Sequence, residues 1–122
     1  MISGSVSPEK IEGATTIDAI RAKTLYDRDV PFVDVRDDVD WNAGHISDAV
    51  HLEAFNVFSE TRLSNIVGKN EEVVIHCYGT VCARSAAACV SAVSWGFTKV
   101  YYFREGFPAW KAAGYPVNIP EG

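Results

Sequence analysis

The sequence predicts an α/β domain, a central parallel sheet of about five strands with helices on both faces. Three observations carry this. Short β-branched runs alternate with longer helical stretches along the chain. The runs around Val33 and Val73–Ile75 have the character of strands buried on both sides. The Ala-rich stretch 83–97 is strongly helical, ends at Gly96 and separates two such runs.

The elements follow in order. Residues 1–13 are polar, with Ser, Gly and one Pro, and are expected to form a flexible lead-in to a domain spanning 14–122. From Thr16, Ile17, Ile20 and Leu25 recur at helical spacing, with Thr15 or Thr16 as the cap. Pro31–Val35 is a buried strand. Asp37 or Asp38 caps a short turn of helix through Trp41, which Gly44 breaks. Ala49–Leu52 is a short strand, and 56–67 is a second helix stopped by Gly68. Val73–Ile75 is the central-strand signal. After the Ala-rich helix, Lys99–Phe103 is a strand and Pro108–Ala113 a short helix.

The totals set limits. A chain of 122 residues fits one domain with one core. A net charge of −5 disfavours nucleic acid or an anionic membrane as a partner. Any anion site must therefore be local. No apolar run approaches the roughly 18 residues of a membrane span, and the first ten residues lack the pattern of a secretory signal. The expected location is cytoplasmic. Cys77, Cys82 and Cys89 are an odd number crowded into thirteen residues, a poor disulfide framework and a better fit to reduced, chemically used thiols. His45, His51 and His76 do not pair with cysteines at ligand spacing, so neither a metal nor an organic cofactor is expected.

Ligands of parallel sheets bind beyond the carboxyl ends of the strands. That rule singles out the turn after Ile75. There His76-Cys77 ends a strand, a loop with one glycine follows, and Arg84-Ser85 opens the Ala-rich helix. Loop amides aimed inward form an anion nest, and the helix points its positive end at the same spot. Arg84 adds a permanent charge with planar donors. This grouping should favour a nucleophilic thiolate at Cys77 and clamp an oxyanion through Tyr78, Gly79, Thr80, Val81, Cys82, Ala83 and Arg84. Cys82 is either a second reactive thiol or a packing residue. Cys89 reads as core filling, His76 as a satisfied structural histidine, and Ser85 as a helix cap in preference to a donor to the thiolate.

Three segments, in order and at fitting distances, resemble the rhodanese homology domain over roughly residues 15–117. They are FVDVRDDVDWNAGHISDAVHL, VVIHC…RSAAA and GFTKVYYFREGFPAWKAAGYPV. The resemblance implies a catalytic cysteine that becomes a persulfide, which by position is Cys77. Asp34, Arg36 and His45 match the early signature, with an architectural role. One feature departs from the pattern. Six residues separate Cys77 from Arg84, where most single-domain sulfurtransferases of that family have four and the related cell-cycle phosphatases five.

The resemblance implies a sulfurtransferase that moves sulfane sulfur from thiosulfate or a persulfide donor to a thiol or cyanide. Its partners are then a small sulfur-containing anion and a thiol acceptor, which includes a protein thiol. Two other classes stay open at this stage. One is a phosphatase or arsenate-reductase-like enzyme using the same loop, with Glu105 or Asp37 as general acid. The other is a non-catalytic sulfur carrier or a redox switch built on Cys77 and Cys82.

Overall fold

A computed structural model describes residues 7–119. The chain runs β1 (Ala14–Ile17), α1 (Ala19–Asp27), β2 (Phe32–Asp34), α2 (Asp38–Ala43), β3 (His45–Ile46) and β4 (Val50–His51). It continues with α3 (Glu60–Ser64), β5 (Glu72–His76), α4 (Arg84–Ser94), β6 (Lys99–Phe103), α5 (Gly106–Ala112) and β7 (Val117–Asn118). Five strands form one parallel sheet in the order β1-β6-β5-β2-β4. The short pair β3 and β7 is antiparallel and separate.

The two-residue period of the strands divides the apolar side chains into two cores. On one face, Val33, Val73, Ile75, Val100 and Tyr102 pack against Ala88, Cys89 and Ala92 of α4 and Leu63 of α3. On the other, Phe32, Val74 and Phe103 pack against Leu25 of α1 and Phe107 and Trp110 of α5. The fully buried Trp110 satisfies its indole N–H at Pro116 O, 2.8 Å away. The parallel sheet between two helical layers expected from the alternation of elements is therefore present.

The structure changes two of the expected elements. The helix read from Thr16 begins at Ala19, because Asp18 takes the cap and accepts from Arg21 N–H at 2.8 Å. Residues 14–17 instead become β1, the edge strand beside β6. Their β-branched Thr15, Thr16 and Ile17 suit a strand, and Asp caps better than Thr. The helix expected over 56–67 shrinks to Glu60–Ser64, started by Ser59. Upstream of it, Glu53 accepts from the N–H groups of Phe55 and Asn56, and these bonds hold a turn in place of helix.

The expected lead-in begins outside the described residues. Its described part lies against the domain. Ser7 and Ile11 are buried, and Tyr102 donates to Pro8 O at 2.8 Å. No helix among the described residues is long and apolar enough to cross a membrane.

Candidate active site

The site is assembled at the carboxyl ends of β2 and β5, neighbours at the centre of the sheet, where Asp34 lies in register with His76. Asp34 and Arg36 form a buried bidentate pair, with Arg36 Nη2 at 2.8 Å and Nε at 3.0 Å from the carboxylate. Arg36 also donates to Gly44 O at 2.7 Å and lies 4.5 Å from the Phe107 ring centroid. It thereby joins the end of β2 to α2 and α5. Burial works to raise the Asp34 pKa, but the neighbouring His76 and Arg36 outweigh it and hold the carboxyl below its usual range. Both residues are architectural, as the early signature implied. His45 is too: it stacks on Trp41 with centroids 3.5 Å apart and donates to Trp41 O.

Beyond β5 the chain turns into the loop. Cys77 is buried, and its carbonyl accepts from Phe107 N–H at 3.1 Å. Gly79 takes φ +134°, a conformation open to glycine, and is buried against the Glu105 backbone. Thr80 is half-buried and accepts from both the N–H and the hydroxyl of Ser7, at 2.8 and 3.0 Å. Tyr78, Val81 and Ala83 turn their side chains outward. Cys82 N–H donates to Gly79 O at 3.0 Å, and this turn brings Cys82 back over Cys77.

The two cysteines are in contact. Cys77 donates its thiol hydrogen to Cys82 O at 3.4 Å, and the two thiols influence each other's ionisation. The backbone N–H groups of Tyr78 and Arg84 favour charge on the Cys82 sulfur. The nest therefore favours a thiolate at Cys82, where the sequence led us to expect one at Cys77. The hydrogen bond from Cys77, the two amides and the Arg84 charge together pull the Cys82 pKa down to about 6. Cys77 is pushed up by the same hydrogen bond and by burial, while Ser85 pulls it back down.

Two residues of this region depart from expectation. Ser85 does not cap α4, whose cap position is Ala83 and whose first turn has no side-chain cap. Its hydroxyl is buried with no hydrogen-bond partner. His76 is fully buried with neither ring nitrogen bonded, so it is an unsatisfied histidine. Burial pushes its pKa down, against the pull of Asp34, and keeps it neutral. Cys89 is buried in α4, in keeping with core filling.

At the mouth, Arg84 is half-buried. It lies 3.8 Å from Asp37 and 4.8 Å over the ring of the exposed Phe55. Asp37 is held in its ionised form by Asp40 N–H, with help from the Arg84 charge. The contributions of Phe55 and Ser7 left no mark in the sequence: Phe55 sits in an irregular stretch, and Ser7 lies 73 positions from Thr80. Glu105 comes close to the loop through its backbone, at Gly79.

This arrangement is a cysteine-bearing loop between a parallel strand and a helix N-terminus. The sequence matches the Rhodanese-like domain family over residues 15–113, and the chain belongs to that family. It is 34% identical over 101 residues to a thiosulfate sulfurtransferase of Pseudomonas fluorescens, covering 83% of this chain and 87% of that one. A sulfurtransferase of Allochromatium vinosum is 36% identical over 94 residues, covering 77% of this chain and 83% of that one. Among solved structures, the rhodanese-like domain of an Anabaena protein superposes with a TM-score of 0.72 at 26% identity, covering 90% of this chain and 81% of that one.

Proposed function

We propose that this chain is a sulfurtransferase that carries sulfane sulfur on Cys77. The observation behind this reading is the buried Cys77 thiol at the end of β5, 3.4 Å from Cys82 O in a loop that closes on Arg84 at the start of α4. The two relatives named as sulfurtransferases support it. The substrates are a small sulfur-containing anion, with thiosulfate the first choice, and a thiol or cyanide acceptor.

The chemistry runs as a double displacement. Arg84 and the amides of the loop bind the sulfonate end of thiosulfate. The two cysteines share one proton, and Cys77 attacks the sulfane sulfur from the arrangement in which Cys82 holds it. A bond forms between Cys77 Sγ and that sulfur, the sulfur–sulfur bond of thiosulfate breaks, and sulfite leaves with the electron pair. The Cys77 persulfide then gives its outer sulfur to the acceptor. Phosphatase chemistry is less well served. Asp37, the carboxyl nearest the mouth, is held ionised and so is a poor general acid.

The test is to mix reduced protein with thiosulfate and cyanide, then follow sulfite and thiocyanate. Equal release of both, abolished in Cys77→Ser, is the expected result. Turnover that survives Cys77→Ser sinks the assignment of Cys77. No release from the unaltered chain sinks the sulfurtransferase reading.

A further inference from the structure

Resting on that sulfurtransferase reading, we propose that Cys82 is a resolving thiol. It attacks the inner sulfur of the Cys77 persulfide, closes a Cys77–Cys82 disulfide and expels hydrosulfide. The chain then reduces sulfane sulfur in addition to relaying it.

Four observations place Cys82 for this role. The turn closed by its N–H on Gly79 O folds the loop back, so Cys82 is half-buried next to Cys77. Cys77 Sγ lies 3.4 Å from Cys82 O, and both cysteines are free thiols. The Tyr78 and Arg84 N–H groups and the Arg84 charge favour the ionised Cys82 sulfur. A packing cysteine needs none of these. Cys89 shows the contrast, because burial alone acts on it and raises its pKa. The extra loop residues thus have a physical use: they bring a second sulfur to the first. Reaction between groups so held needs no encounter in solution.

The electrons balance within one turnover. After sulfite departs, Cys77 bears an ionised persulfide and Cys82 holds the proton taken from Cys77. The Cys82 Sγ–Cys77 Sγ bond forms as the bond from Cys77 Sγ to the outer sulfur breaks. The outer sulfur leaves as hydrosulfide with that electron pair and the Cys82 proton. Sulfane sulfur is reduced by two electrons and the cysteine pair is oxidised by two. The oxidising equivalents come from thiosulfate. A low-molecular-weight dithiol reopens the disulfide for the next round.

The experiment is a single turnover of the full chain, reduced, freed of reductant and mixed with one equivalent of thiosulfate. Neither cyanide nor a thiol is added. Sulfite, hydrosulfide, free thiols and intact mass are measured. The expected result is one sulfite and one hydrosulfide per chain, loss of two thiols, and a cross-linked peptide joining Cys77 to Cys82. Cys82→Ser and Cys82→Ala should take up sulfur more slowly, because they lack the Cys82 base, and whatever sulfur they take up should stay on Cys77 with no hydrosulfide released. The inference is overturned if the unaltered chain releases sulfite but retains the sulfur as a persulfide. It is also overturned if either variant yields hydrosulfide as fast as the unaltered chain. Absence of sulfite from all three removes the sulfurtransferase reading itself, and this inference with it.

Discussion

Gly106 sits directly beneath the backbone of Cys77. Its φ is +65°, and a Cβ placed there would collide with the Cys77 carbonyl oxygen. The next residue, Phe107, donates its N–H to that oxygen at 3.1 Å. The start of α5 therefore supports the reactive loop from below, and only glycine fits there. We expect Gly106→Ala to cost about 1–3 kcal/mol of stability, the usual cost of a side chain in a left-handed site with a clash added. It should also slow sulfur transfer by moving Cys77. Urea midpoints and thiocyanate release measure the two effects separately.

Arg84 lies at the mouth of the loop, 3.8 Å from Asp37. If it binds the sulfonate, Arg84→Ala should lower kcat/KM for thiosulfate by about 100-fold or more, the scale seen when one preorganised donor is lost. Arg84→Lys should recover only part of this, because the ammonium lacks the planar fork. Stability should barely change, since the exposed pair with Asp37 contributes little. Steady-state kinetics together with a thermal melt check both statements.

The pair of Asp34 and Arg36 behaves in the opposite way. Both residues are buried, so Asp34→Asn leaves an uncompensated guanidinium among Phe107, Gly44 O and the amide. A loss of about 3–5 kcal/mol is expected. The loss would appear as a large drop in Tm, whatever the substrate.

The neutral, unbonded His76 gives the fold a dependence on acid. Its folded pKa lies below the ordinary value of 6.5. Below that value the unfolded chain takes up a proton that the folded chain refuses, so stability falls as pH drops. The slope approaches about 1.4 kcal/mol per pH unit. His76→Leu removes both orphaned nitrogens from a site flanked by Phe32 and Phe103. Denaturation between pH 7 and 5 should show a flatter profile for this variant.

Much of this was legible in the sequence because it follows from local rules. The alternation of Val73, Val74 and Ile75 between two cores, the Asp37 cap and the run Lys99–Phe103 are each set by neighbours in the chain. The grouping of Cys77, Cys82 and Arg84 was visible for the same reason, as all three lie on one loop. The remaining features depended on contacts at long range. Thr15 and Thr16 fit a helix cap in sequence, and only pairing with Tyr101 and Tyr102 makes them strand. Which sulfur receives the loop amides depends on the turn from Gly79 to Cys82. Residue types alone do not encode that turn. The same holds for Ser85, whose hydroxyl caps nothing because Ala83 already occupies the boundary.

The strap from Ser7 to Thr80 has a mechanical meaning. Arg104 clasps Ser7 O at 2.9 Å, and Ser7 in turn donates twice to Thr80, midway between the two sulfurs in the chain. Displacing Ser7 would therefore free Thr80, and with it the turn that sets how Cys82 faces Cys77.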